Sequence, residues 1–253
     1  MKVNPCVSVE GRRQDGRECS MSRAINVEIG VLQEADGSCM YTIGNTRILA
    51  AVYGPKNKQT SSGNQYTDAD SGLQLDCTIT VSSMAGTSTM RSDSNLTSFL
   101  KSDHRSHHLE QLVVDSLRPV IFFKQYPQSS ISIQAQVIQD DGGIESAVLN
   151  GISVALQEAT ISMNDVVVAC SVATIGRNVL IDPTKREYTL SSGDVLFVTR
   201  AQDPASILSI KMNRKTNELA ITSVIEVCQK ECEGVREALF ANLRAFHTKK
   251  FAS

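Results

Sequence analysis

The chain has 253 residues, 41% hydrophobic and 21% charged, as in an ordinary soluble globular protein of one or two domains. It holds no apolar run near the roughly 18 residues of a membrane span, and its first 17 residues, MKVNPCVSVEGRRQDGR, carry no apolar stretch and read as no secretory signal. A net charge of −2 excludes a basic nucleic-acid coat and leaves only a local patch for RNA, while seven scattered cysteines read as buried thiols of a reducing compartment rather than disulfides or zinc ligands.

Residues 1–20 are polar, with Arg12, Arg13 and Arg17, and read as an extended arm ahead of a single domain over 21–253. The bland reading of those arginines is a solvated tail. Strands follow at Asn26–Ile29, Ser38–Ile43 and Arg47–Val52, the last two joined by a Gly44-Asn45 hairpin turn. Gly54-Pro55 is expected to stop the third strand, with Lys56 and Lys58 directly after it and a polar loop to about Gly72. Leu75, Cys77, Ile79 and Val81 alternate as a fourth strand. Residues 84–106 are polar and read as a long loop containing Arg91. A helix is expected after it, with Leu109, Leu112, Val113, Ser116, Leu117, Val120 and Ile121 on one stripe. His104, His107 and His108 raise a metal hypothesis, but no carboxylate or cysteine pairs with them at ligand spacing.

Ile131, Ile133, Ala135 and Val137 alternate with polar residues, so this stretch reads as a strand with one buried face. The pattern breaks at Asp140-Asp141-Gly142-Gly143. Ala147, Val148, Gly151, Ile152, Ala155 and Leu156 then recur at helical spacing. A strand running through two glycines into a helix leaves the first helical amides unpaired, a place that can hold an anion; a plain tight turn is the simpler alternative. Further strands are expected at VVVACSVA, at Val179–Ile181 before Asp182-Pro183, at Gly193–Arg200, at Ala205–Met212 and at Glu218–Thr222. A long C-terminal helix carries Val224, Val227, Cys228, Val235, Leu239, Asn242 and Phe246 on its apolar side. The order of elements predicts an α+β architecture with mixed sheets.

GRRQDGRE at 11–18, GVLQEADGSCMYTIGNTRILAAVYGP at 30–55 and VIQDDGGIESAVLNGISVAL at 137–156 resemble the RNase PH family, in the version that carries the active site of the archaeal exosome ring. The likeness covers roughly residues 10–245, and its ADGS, GNT, VYGP and DGG elements keep their order and spacing. It implies a β-α-β-α fold of the ribosomal protein S5 domain 2-like type, and a six-membered ring with single-stranded RNA threading its channel. Active members shorten RNA from the 3′ end by phosphorolysis. Such chemistry needs cations and helix-end amides around a phosphate, and a carboxylate for acid catalysis or for a metal ion.

The resemblance places these groups at three spots. Active members carry an arginine two residues after the second glycine, then Ser or Cys; here Glu145 and Ser146 stand there. An arginine pair that holds RNA phosphates falls on His104 and Arg105. Of two aspartates after the later strand, Asp182 matches the first and Tyr188 occupies the second, unless Glu187 substitutes. A carboxylate at the phosphate position repels phosphate, although Glu in a first helical turn also favours the helix by a few tenths to about 1 kcal/mol.

Glu145, Ser146 and Asp182 are therefore read as vestigial, and the chain as a non-catalytic exosome ring subunit. Lys56, Lys58, Arg91, His104 and Arg105 are its candidate RNA-phosphate contacts, each a solvated surface charge on the bland reading. No cofactor or metal is expected. The implied partners are other RNase PH-like subunits in a hetero-hexameric ring, S1/KH cap proteins, a separate nuclease and single-stranded RNA. The implied work is rRNA processing and mRNA turnover in nucleus, nucleolus and cytoplasm. One alternative is an active phosphate-dependent 3′ exoribonuclease using Asp182 and Glu187. Another is a free-standing RNA-binding or ribosome-associated protein of the same fold.

Overall fold

The Gly44-Asn45 turn closes a hairpin whose register runs from Ile43 opposite Thr46 to Gly37 opposite Val52. Its strands are β2 (Gly37–Ile43) and β3 (Thr46–Asn57). In the computed structural model, which describes residues 12–57, 65–67, 73–82, 95–176, 178–213 and 218–252, these strands belong to a six-stranded sheet. The others are β1 (Ile25–Ile29), β4 (Gln65–Thr67), β5 (Gln74–Val81) and β6 (Ser129–Gln139), in the order β1-β2-β3-β6-β5-β4. Among the described strands only β5 and β6 run parallel, joined by helix α1 (Asn95–Leu117). A parallel pair needs such a crossover, because no tight turn can return the chain to the same end. The second sheet is antiparallel, ordered β10-β9-β7-β8, from β7 (Val167–Ile175), β8 (Asn178–Ile181), β9 (Gly193–Arg200) and β10 (Ile207–Asn213). The architecture is α+β, with one sheet mixed and one antiparallel among the described strands.

Helix α2 (Ile144–Glu158) lies between the sheets and packs on β2, β3 and β7. All of it is buried except Glu145, Gln157 and Glu158. A helix apolar on every side is one covered on every side. Its polar residues serve the second sheet. β8 is only four residues long and pairs with Val172–Ile175, so the backbone of β7 before that has no strand on this edge. Asn150 of α2 fills the gap, accepting from Ala169 N at 2.8 Å and donating to Ala169 O at 2.9 Å, while Ser153 Oγ accepts from Val167 N at 3.0 Å. Helix α4 (Glu218–Ala252) packs on β7, β8 and β9 and reaches β1. One buried core, from Val27 to Leu243, runs through both sheets.

Several expectations are corrected. β3 continues through Gly54-Pro55 to Asn57: the two residues form a bulge, and pairing with β6 resumes at Lys56 opposite Ser130. The polar stretch after it contains the short strand β4. α1 begins at Asn95, inside the stretch read as a loop, so His104 and Arg105 sit on a helix. Residues 83–94, with Arg91, and residues 58–64, with Lys58, lie outside the described residues. Glu218–Thr222 opens α4 and is no strand. A short helix α3 (Lys185–Leu190), unforeseen, follows Asp182-Pro183 and is closed by a Thr184–Glu187 capping box. The solvated-tail reading fails for Arg13, whose side chain is fully buried. Cys39, Cys77, Cys170, Cys228 and Cys232 are buried free thiols; burial pushes Cys39 and Cys77 up to about 12.

Candidate functional site

The turn from β6 to α2 needs both of its glycines. Gly142 (φ 94°) and Gly143 (φ 68°) lie in the left-handed region, and a Cβ on Gly142 would stand 2.5 Å from Pro183 O. That close approach sets the α2 turn against the β8–α3 turn. Around them opens a cleft of about 270 Å³, walled by Gly142, Gly143, Ile144 and Glu145 on one side, Lys185 and Tyr188 on another, and Asp194, Val195 and Leu196 behind; Arg105 and Asp140 complete it. Chain segments far apart in sequence thus meet at the first turn of α2.

The chemistry of this cleft is that of closed pairs. Lys211, from β10, places Nζ 2.6 Å from Glu145 Oε1 and also contacts His108 Nε2, which lies 3.9 Å from the same carboxylate oxygen. Arg105 and Lys185 both bind Asp140 Oδ2, at 3.3 Å and 3.2 Å. Asp194 Oδ2 accepts from Asn213 Nδ2 at 2.7 Å. Ser146 gives its proton to Gly143 O at 3.0 Å and accepts from Ser171 Oγ at 2.8 Å. Ser171 in turn meets the Tyr188 hydroxyl. Burial pushes that phenol up, an effect the Ser171 bond only partly offsets, so Tyr188 stays neutral and cannot stand in for a carboxylate.

Asp182 is committed elsewhere. Its oxygens accept from Arg23 Nη2 and Nε, both at 2.6 Å, and from Arg23 N at 3.0 Å. Arg23 continues to Asp141 O (3.0 Å) and Gly142 O (3.1 Å), binding the two turns together. Despite desolvation, which works the other way, Asp182 raises the Arg23 guanidinium above its ordinary value. Glu187 faces away from the cleft: Arg13 donates to Oε1 from Nε (2.8 Å) and to Oε2 from Nη2 (2.5 Å), and to the carbonyls of Ile181 and Asp182. Two carboxylates each clasped by arginine do not fit a divalent cation, which needs free oxygens. Among the described residues no three His, Cys, Asp or Glu side chains cluster as metal ligands.

Of the other anticipated residues, Lys56 is exposed and stacks over the Tyr53 ring at 5.3 Å, away from the cleft. Arg105 lines the cleft; His104 lies one residue before it on α1. Lys185, Lys211, Asp140 and Asp194 were missed. Lys185 and Asp140 sit next to recognised motifs, but nothing local marks Lys211, 66 residues from Glu145.

Comparisons with known proteins match the chain over most of its length. The family model described as the 3′ exoribonuclease family (RNase PH), domain 1, matches residues 21–162, and that of domain 2 matches residues 165–231. The chain is 32% identical over 253 residues to the exosome complex component RRP41 homolog of Arabidopsis thaliana, covering 99% of each. Rice (Oryza sativa) Rrp46 superposes with a TM-score of 0.74 at 20% identity, over 92% of this chain and 100% of that one. The Archaeoglobus fulgidus exosome with RNA bound to the active site gives 0.71 at 16%, over 90% and 93%. At such identities the two structures attest to the fold alone.

Proposed function

The chain belongs to the RNase PH, or 3′ exoribonuclease, family, and from that premise we propose that it is a non-catalytic, RNA-binding subunit of an exosome core ring. The observation that carries this reading is Glu145 in the first turn of α2, ion-paired with Lys211. Phosphorolysis needs a cation and free amides there to hold the attacking phosphate. A carboxylate in that place repels the phosphate and takes up the nearby lysine itself. Tyr188 removes a second acid from the same cleft. Loss of one well-placed charge stabiliser costs about 100- to 1,000-fold in rate; charge reversal combined with loss of an acid leaves the cleft without a reaction to run.

The remaining role is structural. In a hetero-hexameric ring of RNase PH-like subunits, with S1/KH cap proteins and a separate nuclease, the chain forms part of the wall along which single-stranded RNA travels to be processed or degraded. The likeness to an RRP41 homolog over the whole chain supports this. Contacts to such RNA are contacts to phosphate, so they are independent of sequence and weaken with salt. Work in rRNA processing and mRNA turnover, in nucleus, nucleolus and cytoplasm, follows from the same reading.

The test is phosphate-dependent shortening of a single-stranded RNA by the chain alone and in a ring with its neighbours, all partner nuclease sites disabled. The expected result is RNA bound at low salt and no nucleoside diphosphate. Diphosphate release by the unaltered chain under these conditions overturns the reading.

A further inference from the structure

A groove of about 390 Å³ runs between α4 and the start of the β9–β10 connection, on residues that the cleft does not use. Its helical wall carries Arg236, Phe240 and Arg244, four residues apart and so on one face of α4. Its other wall is Ala201 and Gln202, whose backbone is pinned: Ala201 N donates to Val166 O at 2.9 Å and Gln202 N to Asp165 Oδ2 at 2.9 Å. Arg236 reaches across, its Nη1 donating to Ala201 O at 3.2 Å. Its remaining nitrogens have no protein partner among the described residues. Arg244 is exposed, and among the described residues its guanidinium has no hydrogen-bonded or ion-pair partner. Phe240, between the two arginines, packs on the core and lines the groove beside Ala241.

We propose that this groove docks an extended segment of a partner protein that presents an acid, an apolar residue and a second acid at alternate positions. The spacing carries the inference. A helix rises 1.5 Å per residue, so Arg236, Phe240 and Arg244 follow one another at about 6 Å. In an extended chain the residues that share a face follow at about 6.7 Å. The two ladders stay in step over three rungs. A carboxylate at each end meets a guanidinium, a pairing that two parallel hydrogen bonds favour. The apolar side chain between them meets Phe240 and Ala241. Across the groove the exposed Gln202 amide offers a donor and an acceptor to the segment's backbone. Glu237, in the helical wall, leaves the groove one net positive charge. A single-stranded RNA matches this less well, because a phosphate on every nucleotide sets charge against Phe240 and Glu237. The inference stands apart from the RNA-binding reading above, since the groove shares no residue with the cleft.

The experiment titrates the isotope-labelled full chain with two synthetic heptapeptides and follows its amide shifts by nuclear magnetic resonance. One peptide carries glutamate, leucine and glutamate at its second, fourth and sixth positions, with serine elsewhere. The other has the same composition with those three residues adjacent. The expected result is shifts at Gln202, Phe240 and Ala241 with the first peptide, and binding of the second weaker by about 2-fold or more. Arg244→Met and Arg236→Met each weaken the first peptide about 2- to 5-fold, the range of an exposed charge contact. Glu237→Gln strengthens it, and Lys124→Met, outside the groove, leaves it unchanged. Circular dichroism checks that each variant is folded. No shift at these residues with millimolar peptide at low salt, or equal affinity for the two peptides, overturns the proposal. So does a single-stranded oligouridylate that shifts the same residues and loses that effect in Arg244→Met, which assigns the groove to RNA. None of these outcomes bears on the ring-subunit reading.

Discussion

Arg13 and Glu187, 174 residues apart, lie face to face: two guanidinium nitrogens meet two carboxylate oxygens at 2.8 Å and 2.5 Å, with 0% and 5% of their side chains exposed. The pair ties the N-terminal arm to α3. Removing one partner of a buried pair leaves the other charged and without compensation, at a cost of about 3–5 kcal/mol. Arg13→Met and Glu187→Gln are each expected to lower stability by that order in urea unfolding at pH 7. The pair also makes stability depend on pH. Burial alone raises the Glu187 carboxyl, but Arg13 and the Thr184 amide hold it below its ordinary value of 4.5. The unfolded chain then binds the proton more readily, so this contribution is full above about 4.5 and is lost as pH falls toward the lowered folded value. Glu187→Gln is expected to flatten that part of the acid limb.

Asp182 sits at φ 47°, in the left-handed region, where only a few non-glycine residue types settle. Its carboxylate holds Arg23, 8% of whose side chain is exposed. Asp182→Ala is expected to be the most damaging change at this position, by about 3–5 kcal/mol, since it orphans a buried arginine and keeps the strained backbone. Asp182→Asn tolerates the backbone and still offers one acceptor, so its loss is expected to be smaller. Melting temperatures check the order; equal losses would mean that the Arg23 pairing is not what matters.

Glycines at two positions differ in sign. A Cβ on Gly37 would lie 2.2 Å from Ala155 O and 2.6 Å from Ala159 N, both backbone atoms at the end of α2 that cannot swing aside. Gly37→Ala is expected to cost at least about 1–3 kcal/mol. Gly234 lies within α4 with nothing inside 4 Å. Gly234→Ala is expected to stabilise by about 0.5–1 kcal/mol, through the entropy glycine loses in a helix. Denaturant midpoints of the two variants should move in opposite directions.

What could be read from the chain alone followed periodicity. β2, β3, β5, β6 and α2 have clean patterns of two or 3.6 residues, and the hairpin and Gly-Gly turns mark their ends. The first half of α1 did not show because Leu96, Phe99 and Leu100, though at helical spacing, are scattered among serines, threonines and aspartates. ELAIT at 218–222 reads as a strand only while the helix that continues it is ignored. The replacement at Glu145 was legible, but its partner was not. Lys211–Glu145 and Arg23–Asp182 span 66 and 159 residues, and such convergence is a property of the packed sheets.

The last prediction concerns reversal of the closed cleft. Glu145→Arg restores the arginine that active members of the family carry, yet it is expected to restore no phosphorolysis. The new cation would face Lys211 and His108, which now lie against the carboxylate. The pair is partly exposed, 22% and 30%, so its loss costs about 0–1 kcal/mol and the fold survives. Phosphate would then meet a cation beside free amides, but the leaving RNA oxygen would meet Tyr188, a phenol held neutral by burial, and Asp182, whose oxygens are given to Arg23. The carboxylates that remain in the cleft are engaged as well, Asp140 by Arg105 and Lys185 and Asp194 by Asn213. The measurement is nucleoside diphosphate released from a single-stranded RNA in the presence of phosphate. None from Glu145→Arg, with the variant folded, shows that two independent losses closed the site. Diphosphate from that single variant would show that the Glu145–Lys211 pair alone keeps it silent.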